Sequence, residues 1–163
     1  MLTWVEGIKD AVKYVDESIE VVVVATGSFD DPIKAKQATD AMASKGCDVI
    51  TQNADACGNG AVEECDALGL VNVGAVGDQS VYGESCFLSV IQDAHQGIAA
   101  AIDEAINGTL KPGPVVMGAN ANVVYLTGYT GKYANLLTDE EKATLQSVWQ
   151  QAHDGIDLHT LTK

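Results

Sequence analysis

Apolar and polar positions change period several times along this chain of 163 residues. Val5, Ile8, Val12 and Val15 recur at steps of three and four, which predicts an amphipathic helix over residues 3–16. Residues 21–25 form an unbroken apolar, mostly β-branched run, which predicts a strand buried on both faces. Pro32 suits the first turn of a following helix, with Asp30 or Asp31 as its cap. That helix runs over 33–44 with Ala35, Ala38 and Met42 on one side, and Gly46 ends it. Residues 47–51 predict a second strand, 59–68 a helix with Val62, Cys65 and Leu68 inward, and 71–76 a third strand. A fourth strand is predicted over 86–91.

Over residues 93–107, Ala94, Ile98, Ala101, Ile102 and Ala105 make the clearest apolar stripe of any predicted helix. Residues 115–117 and 123–126 flank a polar loop and predict a β-hairpin. Thr138 followed by Glu141 is a capping-box pair, opening a last helix that carries Leu145, Val148, Trp149, Ala152 and Ile156. Strand and helix therefore alternate. This predicts an α/β fold, three layers deep, with a mostly parallel sheet and flavodoxin-like, and right-handed crossovers at each βαβ step. The length fits one domain with a sizeable core.

Three of the apolar runs break into polar, glycine-bearing turns: VVVVATGSFDD at 21–31, CDVITQNADACGNG at 47–60 and VNVGAVGDQS at 71–80. Carboxyl ends of parallel strands open onto one crevice, where ligands bind. Ser28, Phe29, Asp30, Asp31, Asp55, Asn59 and Asp78 are thereby predicted to face one small site. Phe29 is a large aromatic between a strand end and a helix start. It either stacks on a flat ligand ring or folds back beneath its loop. Asp30 and Asp31 either accept from ligand hydroxyls or cap the helix, with capping assigned to one of them. Asp78 either takes two vicinal sugar hydroxyls or closes an Asx-turn onto Gln79 or Ser80. Gly58-Asn59-Gly60 either offers amides to an anion or makes a tight turn.

Charge narrows the ligand. There are 9 basic residues, all lysine, against 23 acidic ones, a formal charge of −14. That field disfavours nucleic acid and anionic lipid, and a phosphate would need backbone N–H groups rather than a basic pocket. No apolar run reaches the roughly 20 residues that cross a bilayer. The first nine residues show no signal-peptide pattern, so the expectation is either a cytoplasmic protein or part of a longer one.

Cys47, Cys57, Cys65 and Cys86 form no CxxC pair, and no histidine lies at metal-ligand spacing from them. They read as small buried hydrophobes, with a Cys57–Cys65 disulfide left open. No metal or cofactor is implied. His95, His153 and His159 have no nucleophile-elbow partner, so binding without catalysis is expected. An acidic pair after the first strand suggests a phospho-acceptor site, but no lysine stands at a later strand end.

The order GSFDDPIKAKQA, KGCDVITQNADACGNGAVE, GLVNVGAVGDQS, FLSVIQD and AAIDEAINGTLKPG resembles the basic membrane protein family. These are substrate-binding lipoproteins of ABC transporters, and they include purine-nucleoside-binding members. The match runs over residues 7–155 and keeps motif order and spacing. The family has two α/β lobes of the type I periplasmic-binding-protein kind, with the ligand clamped between them. Residues 1–163 resemble the carboxyl-terminal lobe.

The resemblance implies that Phe29 stacks on a nucleobase and that Asp78 binds ribose hydroxyls. It implies a sugar contact from the turn at 53–57, where Asp55 and Ala56 replace the family's glycines. Gln92 stands where the family has a lysine. It still hydrogen-bonds but adds no charge, while Asp55 adds a carboxylate that suits a hydroxyl-rich sugar or a cationic ligand. Ser28 and Asp30 belong to the same loop as Phe29. The implied partners are a nucleoside-like or sugar-like small molecule, a second α/β lobe or a homodimer partner, and an ABC permease. The implied location is extracytoplasmic and membrane-anchored. The alternatives are a free-standing flavodoxin-like domain with a regulatory or enzymatic task, and a fragment with no function of its own.

Overall fold

A single mixed sheet organises the chain. The computed structural model describes residues 2–115 and 117–155. In chain order the elements are α1 (Leu2–Val15), α2 (Pro32–Ala43), β1 (Val49–Thr51), α3 (Asn59–Leu68), β2 (Val71–Val76), β3 (Cys86–Gln92), α4 (Ala94–Ile106), β4 (Val124–Leu126) and α5 (Asp139–His153). The sheet order is β1-β2-β3-β4. β1, β2 and β3 are parallel, with Ile50 opposite Asn72 and Gly74 opposite Ser89. β4 closes the row antiparallel, placing Val124 opposite Gln92. The expected α/β class holds, with an antiparallel strand at one edge.

The best-packed region lies where α2 and α3 cover β1. Ala35, Ile50, Cys57, Ala61 and Cys65 form one buried cluster, with Met42 and Leu70 against it. α2 begins as its residues dictate. Asp31 has an extended backbone and accepts from the Ile33 amide at 3.1 Å, and Pro32 needs no amide partner at the first helical position. α3 can approach because Gly60 has no side chain: a Cβ there would overlap the Pro32 carbonyl oxygen. In β3, Cys86 through Ser89 are buried in succession, so both faces of that strand are covered. α5 opens with the expected capping box, Thr138 accepting from the Glu141 amide while Glu141 accepts from the Thr138 amide at 2.8 Å. The Thr138 amide and, next, the Thr138 hydroxyl, both donating to Glu141 Oε2 at 2.8 Å, hold that carboxyl below its ordinary value.

Several expectations need correction. Residues 21–25 are not a strand, and Val23 is 54% exposed. The run has β propensity but makes no ladder: it lies across a groove from β1, and a strand exists only where its backbone groups pair. β1 itself is three residues long rather than five. Between β2 and β3, where no helix was expected, the chain makes a 3-10 turn at Ser80–Tyr82. The stripe on α4 is not inward: no residue of α4 is buried, and Ile98, Ile102 and Ile106 are all exposed. Leu68, the last residue of α3, is also exposed rather than inward. The hairpin expected over 115–126 is replaced by pairing of β4 with β3. Residue 116 of that expectation, and Ile156 and His159, lie outside the described residues.

The cysteines are all free. Cys57, Cys65 and Cys86 are fully buried, and Cys47 is half-buried, so the small-hydrophobe reading fits and the Cys57–Cys65 disulfide is not formed. Burial pushes the Cys65 thiol up to about 12 and raises Cys86 as well. The thiolate is the reactive form, so these two are inert at neutral pH. Native protein treated with iodoacetamide should therefore label at Cys47 alone, with all four sites labelled after unfolding. Mass spectrometry showing rapid native labelling of Cys65 would contradict this packing.

Candidate functional site

The carboxyl ends of β1, β2 and β3 lie along one edge of the sheet, and the Phe29 loop joins that edge at the turn after β1. β1 runs into Gln52 and Asn53, then a 3-10 turn at Asp55–Gly58. The Phe29 loop is stitched to that turn: the Cys57 amide donates to the Phe29 carbonyl oxygen at 2.9 Å. One backbone bond thus places Phe29 beside Asp55 and Ala56. Phe29 is 58% exposed, so it does not fold beneath its loop.

The loop has its own rigidity. The Ser28 hydroxyl donates to Asp30 Oδ1 at 2.7 Å and accepts from the Asp30 and Asp31 amides at 3.3 and 3.2 Å. Thr26 Oγ1 donates to the Ser28 carbonyl oxygen at 2.9 Å. Ser28 and Asp30 therefore brace the turn that presents Phe29, and Asp31 is the helix cap. In Gly58-Asn59-Gly60 the geometry is that of a tight turn into a helix. Asn59 N–H points to the Ala56 and Cys57 carbonyl oxygens, Cys57 N–H is taken by Phe29, and Gly60 serves helix packing.

Asp78 lies at the end of β2, exposed, and its Oδ1 accepts from the Ser80 amide at 3.0 Å. The Asx-turn exists, and it orients the carboxylate with one oxygen engaged. Gln92 is the last residue of β3 and is exposed, and Asp93 beyond it caps α4 by accepting from the His95 and Gln96 amides. Phe29, Asp55 and Ala56 are brought together by direct bonding of their loops. Asp78 and Gln92 share the strand-end edge through the parallel register.

Two backbone positions on this edge are strained. Asp55 has φ 54° and Val76 has φ 71°. A β-branched residue at positive φ is a true outlier, and such strain collects at functional sites. Asp55 occupies, at its own cost, a conformation that suits glycine.

Gln79 was not among the sequence-derived candidates, yet it holds the Asp78 turn in place. It is buried, its Oε1 accepts from the Ala75 amide at 3.4 Å, and its own amide donates to Ser89 Oγ at 3.0 Å. Gly74 leaves the room: a Cβ there would lie against Ser89 Oγ and 3.0 Å from Gln79 Cβ. A polar residue directly after a candidate ligand aspartate is a weak signal, and only the fold shows that it turns inward. The edge as a whole offers an exposed aromatic face, carboxylates and an amide. No group of three or more metal-ligating side chains is found among the described residues.

Comparison with known proteins bears on the family and the fold. The family model of PnrA-like ABC transporter substrate-binding proteins matches residues 1–156. The transcriptional activator protein med of Bacillus subtilis is 29% identical over 126 residues, covering 75% of this chain and 40% of that protein. A transcriptional activator of the comK gene from Bacillus halodurans superposes with TM-score 0.78 at 24% identity, covering 93% of this chain and 52% of that one. An ABC transporter solute-binding protein from Aeropyrum pernix superposes with TM-score 0.60 at 21% identity, covering 97% and 44%. The chain thus spans about half, or less, of the length of these relatives. Matched by that family model over residues 1–156, the chain belongs to the PnrA-like family of ABC transporter substrate-binding proteins.

Proposed function

We propose that residues 1–163 form one lobe of a two-lobe solute receptor, binding a nucleoside-like molecule at the strand-end edge without catalysis. The observation that carries this is Phe29: an aromatic ring held out to solvent by a loop bonded to the neighbouring turn. Phe29 would stack on the base, Asp78 would accept from ribose hydroxyls, and Asp55, Ala56 and Gln92 would border the sugar. Ser28, Asp30 and Gln79 would act as positioning residues. Asp30, Asp31, Asp55 and Asp78 on this edge oppose a phosphate, so nucleosides are favoured over nucleotides. In the whole protein a second lobe would close over this edge and bury the ligand. A homodimer partner would rebuild the cleft if no second lobe exists. An ABC permease would receive the solute, which places the protein outside the cytoplasm, with a lipid anchor as in the family.

Titration of the chain with adenosine, guanosine and inosine, followed by amide NMR shifts, tests this reading. The expected result is saturable binding weaker than micromolar, because half of the cleft is open to water. Residues 28–29, 55–56 and 78 should shift most, and AMP should bind more weakly than adenosine. Submicromolar affinity for the monomer would contradict the half-site, and shifts elsewhere would contradict the site.

A regulatory reading has one observation behind it, the transcriptional-activator names of two relatives. In that reading the lobe still binds a small molecule, and the net charge of −14 keeps it off DNA. Deleting the gene separates the two. Transport predicts lost uptake of labelled nucleoside, and regulation predicts unchanged uptake with altered transcript levels.

A further inference from the structure

The strand-end edge carries charge of one sign. Its turns, over residues 26–31, 52–59, 76–80 and 92–93, hold Asp30, Asp31, Asp55, Asp78 and Asp93, and no lysine. Four of these carboxylates have a partner inside the fold. Asp30 Oδ1 accepts from the Ser28 hydroxyl at 2.7 Å and Asp31 Oδ1 from the Ile33 amide at 3.1 Å. Asp78 Oδ1 accepts from the Ser80 amide and Asp93 Oδ1 from the His95 amide, each at 3.0 Å. Asp55 is the exception. It is exposed, and its carboxylate makes no hydrogen bond or ion pair among the described residues.

Asp55 also stands against backbone preference. Its φ of 54° lies in the left-handed region, where a Cβ crowds the following carbonyl oxygen. Glycine enters that region freely and asparagine tolerates it, so the turn itself has no need of a carboxylate. Asp55 opens the 3-10 turn whose Cys57 amide is bonded to the Phe29 carbonyl oxygen at 2.9 Å. β1 leads into that turn and pairs with β2, whose end carries Asp78. An exposed aromatic ring, an unengaged carboxylate and a half-engaged one therefore stand on adjoining segments.

We propose that the solute taken at this edge is a cation: a nucleoside whose sugar carries an ammonium or sulfonium group, with Asp55 reading the charge. This rests on the nucleoside reading of the edge and narrows it. With Phe29 on the base and Asp78 on the ribose hydroxyls, Asp55 borders the sugar, so the charge belongs on a sugar substituent rather than on the base. The charges of Asp30, Asp31 and Asp78 act in the same sense as that of Asp55. The Gln92 side-chain carbonyl accepts from an ammonium N–H and brings no opposing charge.

The probes are adenosine and 5′-amino-5′-deoxyadenosine, which differ in a neutral hydroxyl against an ammonium group at neutral pH. Isothermal titration of the chain should show the amine binding about threefold to fivefold more tightly, the size of one partly exposed ion pair. That ratio should be largest near about 20 mM salt and shrink towards one near about 0.5 M, because screening weakens only the charged ligand's extra attraction. Asp55→Asn removes the charge at a backbone position that asparagine tolerates, and it should bring the ratio close to one. Asp55→Gly should do the same, and it repeats the test should the asparagine variant fail to fold. Asp103→Asn, on the exposed side of α4, changes the net charge by the same amount and should keep the ratio of the parent.

If adenosine and the amine bind the parent equally, the nucleoside reading stands and the charge assignment is overturned. If Asp103→Asn lowers the ratio as much as Asp55→Asn does, the general field of the chain attracts the amine and Asp55 does not read it. If neither ligand binds, the nucleoside reading fails and this one fails with it.

Discussion

Gly60→Ala should lower the melting temperature by about 4–12 °C, the largest effect of any single methyl addition considered on this chain. The added Cβ would overlap the Pro32 carbonyl oxygen and lie 2.8 Å from the carbonyl carbon. Neither atom can swing aside, because Pro32 is the first residue of α2 and its φ is locked by the ring. Relief therefore requires α2 to move away from α3, opening the cluster of Ala35, Ile50, Cys57, Ala61 and Cys65. Overpacking of this kind costs about 2–3 kcal/mol, and each kcal/mol shifts a domain of this size by about 2–4 °C.

Gly7→Ala is the control. Gly7 is also helical, in α1, but a Cβ there meets nothing within 4 Å. Ala has the better helix propensity, so the control should stabilise by up to about 1 kcal/mol. If both substitutions had the same sign in a thermal melt, the close approach of α2 and α3 would not be the reason for Gly60. A second readout follows from the connectivity. Moving α2 moves Asp31 and the Ser28–Asp30 bond with it, so Gly60→Ala should also weaken ligand binding at Phe29.

Gly60 shows where sequence reading stops. Gly58-Asn59-Gly60 as a string is compatible with a phosphate cradle, a tight turn or helix packing. Helix boundaries were legible because their signals are local: Asp31-Pro32 and Thr138 with Glu141 each act within one turn. The strands β2 and β3 were legible because both are central, and burial writes an apolar run into the sequence. The run at 21–25 carries the same signature, yet pairing is a property of two segments, and its neighbour β1 offers only three residues across a groove. The α4 stripe fails for a related reason. Periodicity shows that a face is apolar, and it does not show that anything covers it. At the candidate site the strand-end turns were readable from chain order. The inward turn of Gln79 was not, since it depends on Ser89 of β3 and on the room left by Gly74, and nothing in the residue type of Val76 signals its positive φ.

Phe29→Ala and Asp78→Asn should separate the two halves of the ligand. Phe29 is 58% exposed, so its truncation should leave the melting temperature almost unchanged. Stacking a base on an aromatic ring is worth about 1–3 kcal/mol, so nucleoside affinity should fall about tenfold or more. The loss should be similar for ribonucleosides and deoxyribonucleosides, because the ring meets only the base. Asp78→Asn keeps an acceptor for the Ser80 amide, so the Asx-turn survives. It removes the charge that strengthens a hydroxyl bond, at a cost of about 1.5–3 kcal/mol. That loss should be large for adenosine and much smaller for 2′-deoxyadenosine, which lacks one of the two hydroxyls. Isothermal titration on the four protein–ligand pairs decides between the readings. If Phe29→Ala binds adenosine as the parent does, the exposed ring is a surface feature and stacking is excluded. If Asp78→Asn loses the same factor for both sugars, the carboxylate does not read the ribose and serves the turn alone.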